Sequence, residues 1–167
     1  TLDSENIDAL SIDVNGDLQI STSGGAKLGG ATYVSLDEDV LRFSQSSRTW
    51  EVMFDGSDMS ANFANNNQAD VDALIHPDAN QLLISVGGDV DPLSGLTVAK
   101  EDVLLYSGSF GQKNTTGLLE HHLDMSVAGA LPAYANINAM SWKSGLPYIN
   151  SAPGAMNDTY DLDLRLS

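Results

Sequence analysis

Cysteine is absent from the 167 residues, which excludes disulfides, thiolate metal sites and a cysteine nucleophile without fixing the compartment. Basic residues are scarce: 7 stand against 23 acidic ones, a formal charge of −16. Nucleic acid and anionic membrane surfaces would be repelled by such a chain, and cations are its natural counterpart. No apolar run is long enough to span a bilayer, so membrane insertion is not expected. A basic segment leading into an apolar one is missing as well, and a start at Thr1 fits a processed mature form or an excised fragment, so an extracellular setting is an inference rather than a reading of a leader. There is no Gly-x-Ser-x-Gly elbow, and Gly24-Gly25 and Gly87-Gly88 lack the lysine and helix of a phosphate cradle, which sets aside serine hydrolases and nucleotide binders. What is present is 42% hydrophobic content, ample for a core and too high for a disordered chain.

The chain also repeats itself. Ile7-Asp8-Ala9-Leu10, Leu18-Gln19-Ile20-Ser21 and Glu38-Asp39-Val40-Leu41 return as Val71-Asp72-Ala73-Leu74, Leu82-Leu83-Ile84-Ser85 and Glu101-Asp102-Val103-Leu104. The offsets are about 64, 64 and 63 residues, one order at one period, as expected of a repeat architecture. A weaker third copy opens at Ile137-Asn138-Ala139-Met140 and closes at Leu164-Arg165-Leu166-Ser167. The whole chain reads as one array, with repeat 1 at about 5–58, repeat 2 at about 69–127 and a partial repeat 3 at about 135–167.

Each copy divides into short strands. Residues 8–13 alternate with period two, Asn15-Gly16 is the pair that a type I′ hairpin turn needs, and 18–22 is the returning strand. Asp78-Ala79-Asn80 and Lys143-Ser144-Gly145 occupy the same turn in the later copies. A glycine-rich excursion follows, then a strand at 40–44 and a fourth at 50–54 that ends in Asp55-Gly56-Ser57-Asp58. Residues 118–126 have some helical propensity, but Leu123-Asp124 aligns with Phe54-Asp55, so a strand is expected there. The predicted class is therefore all-β, with four-stranded repeats of about 64 residues arranged like the blades of a propeller; a β-sandwich is the alternative.

The third copy stops where its fourth strand should begin, and Thr1-Leu2-Asp3-Ser4 resembles the end of that strand. Three blades are few for a closed ring, which typically has about four to eight. Two chains completing a six-bladed ring, edge strands pairing between subunits, or an open sandwich would each resolve this, and the first two imply self-association through the terminal strands.

The phrases Ile7 to Leu10, Ile20-Ser21-Thr22, Leu28-Gly29-Gly30, Glu38-Asp39-Val40 and Phe54-Asp55 resemble tandem repeats in large secreted or surface proteins of aquatic bacteria. The resemblance covers most of the first two copies and fades in the third, where Asn138 replaces the aspartate. It implies propeller-like β-repeats and an extracellular setting, and no catalytic role.

The repeated acids are the candidate site residues: Asp8, Asp72, Glu38, Asp39, Glu101 and Asp102. Carboxylates at strand starts either accept backbone N–H groups and pin turns, or converge on a hard cation such as calcium, which takes six to eight oxygens. Asp13-Val14-Asn15-Gly16-Asp17 begins like an EF-hand loop, but the twelfth position is Gly24 and flanking helices are missing, so a hairpin turn is expected. His76, His121 and His122 lack zinc-site spacing and read as residues of an exposed strand edge. Among the aromatics, Trp50 and Tyr106 fall in strands and read as core, whereas Tyr134 and Tyr148 lie near prolines and are candidates for stacking on a sugar ring. The function that follows is a structural or interaction module of a surface layer, adhesin or self-assembling fibre, with calcium as the expected ligand. A carbohydrate-binding module, partnered by an extracellular glycan, is the alternative. A glycosidase comes third, because nothing in the sequence fixes the separation of paired carboxylates.

Overall fold

Four short alternating segments separated by turn residues form an antiparallel meander, and the chain builds two of them. In the computed structural model, which describes residues 6–28, 34–64, 68–93, 96–125, 135–143, 146–152 and 162–163, the first sheet contains β1 (Ile7–Ile12), β2 (Leu18–Thr22), β3 (Val40–Ser44) and β4 (Thr49–Phe54) in the order β1-β2-β3-β4. The second contains β5 (Val71–Asp78), β6 (Gln81–Val86), β9 (Val103–Ser109) and β10 (Thr116–Leu123) in the order β5-β6-β9-β10. Its β7 (Val90–Leu93) and β8 (Leu96–Val98) form a separate two-stranded ribbon. A third sheet joins β11 (Asn136–Lys143), β12 (Leu146–Ala152) and β13 (Leu162–Asp163). Helix among the described residues is limited to a 3-10 turn at Gly56–Asp58 and one α-helical turn, α1 (Ala61–Ala64). Neither is long and apolar enough to cross a membrane.

Burial follows position in the sheet. The inner strand β6 is buried from Leu82 to Val86, because both of its faces are covered. The edge strand β4 instead exposes Thr49, Trp50 and Glu51 before burying Val52, Met53 and Phe54. The largest core cluster lies between the first two sheets and includes Val40, Phe54, Val71, Leu74, Ile84, Leu104 and Tyr106. A second cluster, with Ala73, Ile75, Leu83, Val103 and Ile137, joins the second sheet to β11. A third, Ile20, Leu41 and Val52, belongs to the first sheet alone. β5 is the hub, since both β1 and β11 pack against it.

The same irregularity marks the first strand of all three sheets. Ile7 pairs with Thr22 and Ala9 with Ser21; Val71 pairs with Val86 and Ala73 with Ser85; Ile137 pairs with Ser151 and Ala139 with Asn150. One residue is extra each time, and it is Asp8, Asp72 or Asn138. A bulge bends its strand and re-aims a side chain, so the acid of the repeated phrase sits where each strand kinks. The sheets are also linked alike: Val71 N donates to Asp37 O at 3.1 Å, and Ile137 N donates to Lys100 O at 3.2 Å.

Several local expectations need correction. The turn at Asn15-Gly16 is not type I′. Gly16 has φ of +81°, but Asn15 does not share the left-handed region, and Gly16 N donates to Asp13 O while Asp13 N donates to Asp17 O. That is a type I turn closed by a glycine bulge. The Asp13 carboxylate decides it, because Oδ1 accepts the N–H groups of Asn15 and Asp17 at 2.8 and 2.9 Å. Trp50 is not core: it is 37% exposed and packs on Phe43 with ring centroids 5.2 Å apart. Tyr106 is buried as expected, and 116–123 is strand rather than helix. The second glycine-rich excursion holds the β7–β8 ribbon, whose counterpart in the first is a single bridge between Lys27 and Val34. The proposed terminal strand at 1–4 and the closing phrase at 164–167 lie outside the described residues.

Candidate functional site

The three bulges meet. Asp8-Ala9-Leu10, Asp72-Ala73-Leu74 and Asn138-Ala139-Met140 together line a cavity of about 230 Å³ where β1, β5 and β11 converge. Close carboxylates in a partly desolvated place repel one another, and the protonated form is favoured. Burial raises the pKa of Asp8, and the Asp72 charge adds to it. Burial raises Asp72 too, opposed by the amide of Asn136, whose Nδ2 donates to Asp72 Oδ2 at 2.7 Å. Asp70 is pushed up to about 7, first by burial and then by Asp8, Asp72 and Asp37. One oxygen each on Asp8, Asp70 and Asn136 is buried with no hydrogen-bond partner among the described residues.

Asp70 is the acid that sequence reasoning missed. Asn6, Asp70 and Asn136 stand one residue before Ile7, Val71 and Ile137, so extending each repeated phrase by one residue would have found it. Asn136 supplies a donor to Asp72 where a third carboxylate would only add repulsion.

The other repeated acids serve elsewhere. Asp39 Oδ2 accepts Leu36 N at 2.9 Å while Asp39 N donates back to Leu36 O at 3.1 Å. Asp102 does the same with Ala99, at 2.9 Å in both directions. The remaining oxygens reach across the sheet, Asp39 Oδ1 to Gly56 N at 3.0 Å and Asp102 Oδ1 to Met125 N at 3.3 Å. All four oxygens thus accept backbone N–H groups, which fixes the turn before the third strand to the end of the fourth. Glu38 and Glu101 are each 2% exposed and each keep one oxygen without a partner among the described residues. Burial, then a hydrogen bond with Asp37, pushes Glu38 up to about 8; burial raises Glu101 as well. The six predicted acids therefore divide between the cavity and two buried turns. Among the described residues, no group of three or more His, Asp and Glu side chains is arranged to hold a metal ion.

His121 and His122 lie partly exposed on the edge strand β10, whereas His76 is not on an exposed edge. His76 is 9% exposed, its Nδ1 lies 2.8 Å from Gln19 Nε2, and its ring stands perpendicular to Phe110 at 5.3 Å between centroids. Burial lowers its pKa against the pull of Asp13, so the neutral ring is favoured. His121 Nε2 lies 3.2 Å from Asp102 Oδ2, short of hydrogen-bond geometry, and burial lowers His122. The EF-hand-like phrase is the hairpin turn described above. Asp55 and Asp58 are likewise turn acids: Asp55 Oδ2 accepts Lys113 N at 3.0 Å and Asp58 Oδ2 accepts Thr115 N at 2.9 Å, tying the end of β4 to the β9–β10 loop. Tyr134 lies outside the described residues, and Tyr148 falls on β12 opposite Ser141 and Asp163.

No protein-family model matches this chain, and no curated protein matches it.

Proposed function

We propose that the chain is a propeller-type array of like β-units that works outside the cell as a structural or interaction module of a surface layer, adhesin or self-assembling fibre, without catalysis. One observation carries this reading: the second and third sheets each attach to the sheet before them through the same backbone bond, Val71 N to Asp37 O and Ile137 N to Lys100 O. Units that dock on their predecessors by one geometry make a scaffold whose length is set by their number. Its repeated acids serve that scaffold, Asp39 and Asp102 by holding turns and Asp8 and Asp72 by lining the junction of the first strands. The charge of −16 suits a surface bathed in salt and repels anionic polymers.

Antibody labelling of intact cells that carry the native protein tests the reading. Labelling of unbroken cells, or recovery of the chain from the surrounding medium, is the expected result. Signal that appears only after lysis would overturn the extracellular assignment.

A further inference from the structure

Aligned on their bulges, the sheets differ in what covers their first strand. Val71 and Leu74 of β5 are 0% and 1% exposed in the core shared with the first sheet, and Ile137 of β11 is 0% exposed in the core shared with the second. The same positions on β1 are Ile7 and Leu10, which are 59% and 55% exposed. Beyond them Ile12 and Val14 are 64% and 86% exposed, beside a hollow of about 400 Å³ that reaches Ile75 and Met140. The cover also differs across the sheet: Ile84 and Leu104 belong to the core shared with the first sheet, whereas their counterparts Ile20 and Leu41 are buried by Leu18, Ala26 and Leu28 of their own unit, which leaves Ile7, Leu10, Ile12 and Val14 as the exposed row. A contiguous apolar stripe of this kind marks an interaction surface.

Resting on the reading of the chain as an array of like units, we propose that the β1 face is the receiving half of the unit-to-unit interface, and that it docks the third unit, β11 to β13, of a second copy of this chain. That interface already forms twice within the molecule, and Ile7 occupies the place of Val71 and Ile137 at its start. The occupant is therefore specified by the chain itself. Docking uses the apolar side chains of β1 rather than a free backbone edge. A head-to-tail contact of this kind is heterologous, so it closes into a ring when the rotation permits and otherwise continues as a filament.

Analytical ultracentrifugation of the 167-residue chain over a wide concentration range decides the matter. The wild type forms dimers or longer species. Leu10→Asp and Ile12→Lys each raise the dissociation constant by about tenfold or more, with circular dichroism and melting temperature unchanged because both side chains are exposed. Leu118→Asp, at a residue 59% exposed on the edge strand β10, associates like the wild type. A wild type that stays monomeric at its highest soluble concentration overturns the proposal, as does association that survives both β1 variants or is lost with Leu118→Asp alone. Such a monomer would leave the surface-module reading intact, whereas absence from the cell surface would leave the docking intact.

Discussion

Asp70 gathers more carboxylates around it than any sequence motif announces, and its protonation couples that crowding to stability. A carboxyl whose folded pKa is raised binds its proton more tightly in the native state, so its contribution is fully present below the ordinary value of 3.8 and is lost as pH rises through about 7. Glu38 continues the loss through about 8. His76 and His122 act in the opposite sense, because their lowered pKa values give stability that is present above about 6.5 and lost on acidification. The melting temperature is therefore expected to fall between pH 6 and pH 8.5. Asp70→Asn, which imitates the protonated acid, should melt above the wild type at pH 8.5, with the gap narrowing as pH falls and closing only near the ordinary value of 3.8. Parallel curves for the two proteins would show that the cluster does not titrate as described. A cation would relieve the same repulsion, so the pH 8.5 melts are repeated with millimolar calcium and with chelator. A separation would show that a cation binds the folded chain, and coincident melts would leave the repeated acids to hydrogen bonding within the fold.

At the scale of elements, β9 and β10 show how two strands are held closer than ordinary side chains permit. Gly108 and Gly117 pair across the two strands. A Cβ on Gly117 would meet the Ser107 carbonyl, Gly108 Cα at 2.8 Å and the Tyr106 ring at 2.9 Å. Tyr106 lies over this slot, donates from its hydroxyl to Ser109 O at 2.6 Å, and stacks edge-on to Phe54 at 5.1 Å. An aromatic covering a glycine on an edge strand restores the burial that the glycine lacks. Gly117→Ala is therefore expected to cost about 1–3 kcal/mol through overpacking, read as a drop in the denaturant midpoint. Gly24→Ala is the control, because nothing lies within 4 Å of its Cβ. Equal effects at the two positions would mean that the slot has no energetic weight.

At the scale of the whole molecule, charge and apolar surface oppose each other. Two copies, each at −16, repel at long range, and salt screens that repulsion within about 8–10 Å at physiological strength. Apolar docking is not weakened by the same screening. If β1 receives a second copy, raising sodium chloride from low to moderate concentration strengthens association, measured as a falling dissociation constant in sedimentation. Association that weakens with salt would instead indicate ion pairing between copies. The three clusters belong to this scale too, since the largest joins the first two sheets and the second ties β11 to them.

Local chemistry alone determined much of the chain. The strands at 18–22 and 40–44 end where β2 and β3 end, because alternation and turn residues act over a few positions. Register between phrases identified Asp8, Asp72 and Asn138 as equivalent before their bulges were known. Other features required the fold. Asp13 accepts two nearby N–H groups and so changes the turn type at Asn15-Gly16, while Gln19 and His76, 57 residues apart, meet only when the first and second sheets pack. Asp39 and Asp102 are defined by partners at the far ends of their sheets, Gly56 and Met125. Asp70 acquires its raised pKa first from burial and then from Asp8 and Asp72 on two different strands. Turn formation is a short-range competition that neighbouring residues settle, whereas desolvation and repulsion depend on which strands are brought together, and that only tertiary packing decides.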